Sequence, residues 1–235
     1  MNKLLFECHD LLKKSGLPYA VCGGFALDLF INGTFRKHTD FDINIFEEHK
    51  KNILDFMLSL GWKIYDHNIE TSELMPIDSA DDERVLTLKW VWAVKPDCSL
   101  VAIEPKGSQD NIFIWKMSSK EQLNCDFIEI IFNERRNRDF ICNSKSNILR
   151  PLDKAILHNN GIPYLAPELI LYFKSSPIYM TWAKTTLDFD NTAHLLDEES
   201  RDWLVKSLKA TYPDGHEWVE RLEKNINTEN KVIKK

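Results

Sequence analysis

Residues 21–46 read VCGGFALDLFINGTFRKHTDFDINIF, and the fold turns on how this stretch is parsed. The apolar run from Tyr19 to Cys22 ends at Gly23 and Gly24, as a short buried strand would before a tight turn. Phe25 to Ile31 has helical character, and Asn32-Gly33 stops it. A basic cluster follows, Arg36, Lys37 and His38. The stretch closes on an alternating segment in which Phe41, Ile43 and Ile45 point one way and Asp40, Asp42 and Asn44 the other.

Two carboxylates at i and i+2 of a strand share a face, ~6–7 Å apart along it. They repel each other, and burial would raise a pKa. A divalent cation removes both problems, and magnesium favours carboxylate oxygens together with substrate phosphates. By itself the pair is equally the solvated polar face of an edge strand. Gly23 and Gly24 would let the backbone approach a phosphate at a helix N-terminus, although a plain tight turn uses the same residues. Neither GxGxxG nor GxxxxGK[ST] occurs, so no dinucleotide-type or Walker-type site is indicated. Arg36, Lys37 and His38 would neutralise a triphosphate and its leaving pyrophosphate; alone, such a cluster is a solvated loop.

A third carboxylate on a neighbouring strand would complete a metal site. Residues 124–132, NCDFIEIIF, form a nearly continuous apolar run of the kind found in a central strand. Asp126 stands in it, where an unpaired charge is costly, and is the candidate; the alternative is a strand-end residue facing solvent. Glu129 lies three residues on and is expected on the opposite face, which makes it the poorer partner.

The remaining chain supplies the frame. Residues 3–14 and 47–60 carry helical periodicity. Residues 66–83 are acidic and read as an irregular loop, while 85–94, 99–104 and 111–117 read as antiparallel strands with a turn at 106–108. After Arg150-Pro151 the texture becomes helical, over 163–174, 180–196, 198–210 and 214–224, with a polar tail at 225–235. The fold class is therefore α+β. A mixed sheet with flanking helices occupies residues 1–150, and a helical domain completing the cleft occupies 151–235.

The 235 residues, 43% hydrophobic, suffice for such a core, and the net charge of −6 argues against a general nucleic-acid binder. Five cysteines without CxxC spacing suggest reduced thiols rather than a disulfide framework or a zinc site. No signal-peptide pattern and no membrane-length apolar run is read, so the expected location is the cytoplasm, without a membrane partner.

In order, GGFALD followed by GTFRKHTDFDIN resembles the signature of the polymerase-β-like nucleotidyltransferase superfamily. More narrowly, it is similar to the aminoglycoside 2″-adenylyltransferase and lincosamide nucleotidyltransferase branch, in which a GG-aromatic-A segment precedes a basic R-x-H and then D-x-D. PYLAPELILYFK and the segment from Lys184 through Asp188 resemble the helical part of bacterial members. The FINGTFRKH stretch is slightly longer than the family spacing, which bears on Arg36 and His38.

The resemblance implies a mixed-sheet nucleotidyltransferase fold. It implies magnesium-dependent transfer of a nucleoside monophosphate, AMP from ATP, to a hydroxyl of a small acceptor such as an aminoglycoside or lincosamide antibiotic. Asp40 and Asp42 would bind magnesium. Asp126 would be third ligand or general base. Gly23, Gly24, Arg36, Lys37, His38 and Lys174 would hold phosphates. Trp90, Trp92, Trp115 and the acidic 66–83 segment are candidates for an acceptor pocket, with core packing the favoured reading of each tryptophan. Asp188 and Asp190 suit the cleft or a helix surface. Two other readings stay open: a toxin–antitoxin type enzyme acting on tRNA or protein, and a non-catalytic nucleotide-binding module.

Overall fold

The computed structural model describes residues 3–68, 70–107, 111–118, 120–143 and 147–232. The chain opens with α1 (Lys3–Lys13), whose Leu4, Leu5, Cys8 and Leu12 are buried at helical spacing. Then come β1 (Tyr19–Val21), α2 (Gly23–Ile31), β2 (Asp42–Phe46) and α3 (Lys50–Ser59). Asn32 ends α2 in the left-handed conformation, φ 52°, as its Asn-Gly signal predicts. Strands β3 (Lys63–Asn68), β4 (Glu73–Ile77), β5 (Trp90–Val94), β6 (Val101–Pro105), β7 (Phe113–Met117) and β8 (Phe127–Asn133) follow.

Residues 66–83 are therefore not a loop. Most of them form the β3–β4 hairpin, in which Ile64 faces Ile77 and Asn68 faces Glu73. Charged side chains hide its alternation. Residues 83–86 are a short 3-10 turn rather than the start of β5. Part of the expected turn at 106–108 lies outside the described residues, as does the end of the tail.

A small second sheet holds β9 (Arg135–Arg136), β10 (Asp139–Asn143) and β11 (Ile148–Pro151). After a single turn, α4 (Leu152–Ala155), strands β12 (Ile156–Asn159) and β13 (Ile162–Leu165) return to the main sheet. They form a hairpin closed by Asn160 and Gly161, both at positive φ (50° and 79°). Such two-residue turns match the twist of the flanking strands. The sheet thus extends past residue 150, and the all-helical part starts with α5 (Pro167–Lys174), later than the expected 163. α6 (Pro177–Met180), α7 (Ala183–Thr192), α8 (Glu198–Thr211) and α9 (Glu217–Val232) complete the chain.

Among the described residues the main sheet has ten strands in the order β12-β13-β1-β2-β8-β5-β3-β4-β7-β6. β2 and β8 pair in parallel, with Asp42 opposite Glu129, Ile43 opposite Ile130 and Ile45 opposite Phe132. One face, through Ile43, Ile64, Val91 and Ile130, is covered by α1 and α3, whose Leu4, Leu12, Ile53 and Leu54 are fully enclosed with it. Burial of such side chains contributes about 1.5–3 kcal/mol each. The other face carries Asp42, Glu129, Trp92 and Tyr65 as one row across four strands.

The helical part has its own core, including Leu171, Phe189, Leu204, Leu208 and Trp218. A buried ion pair ties it to the sheet region: Arg150 at the end of β11 donates from Nε (3.0 Å) and Nη2 (2.6 Å) to Glu168 Oε1 on α5. No helix among the described residues is long and apolar enough to cross a membrane.

Candidate active site

The site is built where β1 ends, β2 begins and β8 passes alongside. The Cys22 amide donates to the Asp42 carbonyl (2.9 Å), and the Glu129 amide to the Phe41 carbonyl (2.9 Å). These bonds fix the Asp42–Glu129 register, so both carboxylates project from one face of adjacent strands. Asp40, two residues before Asp42, joins them.

The electrostatics confirm the grouping. Burial, then the charges of Asp40 and Glu129, push the Asp42 carboxyl well above its ordinary value. Burial and Asp40 raise Glu129 to about 7. The structure therefore brings together Asp40, Asp42 and Glu129.

Asp126 is elsewhere. It precedes β8, is bonded through Oδ1 to Lys95 Nζ at 2.9 Å, and sits three residues from Glu129, on the other face. The alternation argument separating Asp126 from Glu129 holds, but it is Glu129 that the register sets beside Asp42.

The glycine pair is required by side-chain packing. Gly23 has φ 62°, and a Cβ there would lie 1.8 Å from Asp42 Oδ2. A Cβ on Gly24 would lie 2.5 Å from both Arg36 Nη2 and His38 Nδ1. Gly23 thus seats the Asp42 carboxylate, and Gly24 seats the basic cluster.

The three members of that cluster part ways. His38 is 1% exposed, stacks at 4.3 Å on Phe25, and meets Asp28 Oδ2 through Nε2 at 2.9 Å. Arg36 Nη1 stands 3.1 Å from His38 Nδ1. A guanidinium only donates, so Nδ1 accepts and Nε2 carries the proton given to Asp28. His38 braces α2 from below and does not reach the cleft, contrary to the expected phosphate role. Lys37 points out to solvent.

Arg36 turns instead toward the helices, its Nε and Nη2 donating to the two oxygens of Asp188 at 2.6 and 3.0 Å. Lys174 Nζ, at the end of α5, lies 3.0 Å from Asp188 Oδ2. Asp188 is fully buried, whereas Asp190 pairs on the surface with Arg221.

Two site residues escape the sequence reading. Lys184, at the start of α7, places Nζ 3.8 Å from Asp40 Oδ2 and lies over the Trp182 ring. Its charge also reaches Asp42 and Glu129. The Tyr179 hydroxyl is raised by burial and by the charges of Glu129 and Asp42, which locates it at the same row. Only the i, i+4 spacing of Lys184 and Asp188 signals a shared helix face beforehand.

Of the acceptor-pocket candidates, Trp92 adjoins Glu129 and packs on Trp115 (4.8 Å), Phe127 (5.1 Å) and His67 (4.3 Å). Trp90 donates to the His67 carbonyl at 3.3 Å. The acidic residues 81–83 lie by α3, where Asp81 pairs with Lys51, on the face opposite the carboxylate row.

Among the described residues no three His, Cys, Asp or Glu side chains already converge as metal ligands. The donor set nevertheless suits a hard cation: three carboxylates, two of them destabilised as anions by their enclosure, without thiolate or imidazole among them.

Residues 4–88 match the model of the aminoglycoside-2″-adenylyltransferase family, a family of nucleotidyltransferases, so the resemblance read from residues 21–46 holds. No curated protein matches the sequence. Among solved structures, the solution structure of the antibiotic-resistance factor ANT(2″)-Ia is 11% identical with a TM-score of 0.50, covering 89% of this chain and 93% of that one. A crystal structure of ANT(2″)-Ia with adenylyl-2″-tobramycin is 11% identical at TM-score 0.49, covering 87% and 94%. The lincomycin-bound lincosamide adenylyltransferase LnuA is 16% identical at 0.49, covering 82% and 96%. The likeness is one of fold, a mixed sheet followed by helices.

Proposed function

We propose that this chain, whose residues 4–88 match the model of an adenylyltransferase family, transfers a nucleoside monophosphate from a nucleoside triphosphate to a hydroxyl of a small antibiotic-like acceptor. The observation that carries this reading is one cluster in which groups of opposite charge face each other. Asp40, Asp42 and Glu129 line one side, and Arg36, Lys174 and Lys184 face them.

Each half has a task. Asp40 and Asp42 would hold magnesium, which when bound neutralises the triphosphate oxygens and orients them. Arg36, Lys174 and Lys184 carry fixed positive charge for the β- and γ-phosphates and for the pyrophosphate as it leaves. The acceptor oxygen attacks the α-phosphorus, a new P–O bond forms, and the bond to the bridging oxygen of pyrophosphate breaks. Glu129, set beside Asp42 on the adjacent strand, is the carboxylate placed to take the hydroxyl proton. The family description, that of an adenylyltransferase, supports ATP as the nucleotide.

Two observations bear on the alternatives. A non-catalytic module loses its argument once Glu129 supplies the third carboxylate that Asp126 does not. A tRNA acceptor gains nothing from the net charge of −6. Pyrophosphate release from each nucleoside triphosphate against a panel of aminoglycosides, lincosamides and tRNA tests the reading. Acceptor-dependent release with an antibiotic supports it; release with none, or with tRNA alone, overturns it.

A further inference from the structure

Asp188 is the residue whose place demands a reason. Its side chain has no exposed surface, yet it carries a carboxylate inside a cluster of charge. Three segments meet on it. Arg36 comes from the loop after α2, Lys174 from the end of α5, and Asp188 itself from α7. Arg36 engages both carboxylate oxygens, at 2.6 and 3.0 Å, in the forked geometry that only a guanidinium supplies. Lys174 Nζ shares Oδ2 at 3.0 Å.

Without that carboxylate the guanidinium and the ammonium would be two like charges held a few ångströms apart in a poorly solvated place. Each would swing toward solvent. With it they are fixed side by side, and one net positive charge remains at the edge of the cleft. Lys184, one helical turn before Asp188, extends this positive edge to Asp40.

We propose that Asp188 is a positioning residue that sets affinity for the phosphate chain of the nucleotide, by clamping Arg36 and Lys174 into one anion-binding surface shared by the sheet and the helices. This deepens, and rests on, the nucleotidyl-transfer reading above. Asp188 touches no substrate; it acts through the two cations, so its loss weakens binding of the phosphates more than the chemical step.

The test uses the full chain with Asp188→Asn, which keeps the side-chain shape and removes the charge. Inorganic tripolyphosphate with magnesium, titrated by calorimetry, is the probe, because it has phosphates and no base. The dissociation constant is expected to rise about tenfold or more, consistent with loss of a charge-assisted bidentate anchor. In steady state, KM for the triphosphate should rise more than kcat falls. Arg36→Lys keeps the charge but loses the fork, and should weaken tripolyphosphate binding as well. Adding Asp188→Asn to it should cost little more, because both changes break the same clamp.

A cooperatively folded Asp188→Asn protein with unchanged tripolyphosphate affinity overturns the proposal, as does a fall in kcat at constant KM. Should Asp188→Asn fail to fold, unchanged affinity in Arg36→Lys overturns it on its own. Wild-type protein that binds neither tripolyphosphate nor any nucleoside triphosphate overturns the nucleotidyl-transfer reading itself.

Discussion

At the scale of the residue, the decisive pair is Glu129, within β8, and Asp126, three positions earlier and just before that strand. Changing Glu129 to Gln should cut nucleotidyl transfer by about 10²–10⁴-fold, the range of a lost general base. Asp126→Asn should stay within about twofold of wild type, and cost no more than the ~1 kcal/mol of a partly exposed ion pair with Lys95. Parallel rate measurements on the two variants check this.

Glu129 also makes stability depend on pH. Its carboxyl titrates near 7 in the fold against an ordinary value of 4.5. Between those values the folded protein keeps a proton that the unfolded chain has released. Stability is therefore fully present below the lower value and falls as pH rises through the higher one. Without divalent metal, wild type should lose on the order of 1–3 kcal/mol relative to Glu129→Gln across that window. Urea unfolding of both proteins at several pH values measures the difference; parallel curves would contradict it.

At the scale of the element, the turn between β1 and α2 joins chemistry to backbone. Gly23 is at φ 62° with the Asp42 carboxylate against its Cα. Gly23→Ala should destabilise by about 1 kcal/mol or more from backbone strain. It should also displace Asp42 and lose most transfer activity, because the added methyl and Oδ2 cannot share the space. Activity near wild type in a folded Gly23→Ala protein would contradict this.

This element is also where the sequence is most readable. Strand, glycine pair opening the helix, basic loop and paired aspartates occur in the order that residues 21–46 suggest, because each depends on local spacing. The third carboxylate depends on how β2 and β8 slide against each other, a non-local fact that no periodicity within 124–132 encodes. The same holds for His38. Its placement beneath Gly24 follows from the space a missing Cβ leaves, not from the company of Arg36 and Lys37. The β12–β13 hairpin, by contrast, was open to reading: Asn160-Gly161 between two apolar runs is a strong hairpin signal.

At the scale of the molecule, the charge cluster joins helices from the last third of the chain to a sheet built from the first two thirds. Arg150, 4% exposed, and Glu168, 1% exposed, fasten the two behind the site, with Glu199 of α8 adding a further bond at 3.2 Å. Glu168→Ala leaves a buried guanidinium without its main partner and should destabilise by about 3–5 kcal/mol, read as a lower denaturation midpoint. The helices were legible as helices and Lys174 as a site candidate, but the approach of Lys184 to the carboxylates was not. Lys184 reaches Asp40, and Asp188 reaches Arg36, only through tertiary packing of α7 on α2.

The central claim is that Asp40, Asp42 and Glu129 form one catalytic row for nucleotidyl transfer. The most direct measurement is pyrophosphate release from ATP with magnesium and an antibiotic acceptor, compared for wild type, Asp42→Asn, Glu129→Gln and Asp126→Asn. The account predicts acceptor-dependent release by wild type and Asp126→Asn, with release by the other two at least about 100-fold slower. Full activity in folded Glu129→Gln together with loss in Asp126→Asn would contradict it.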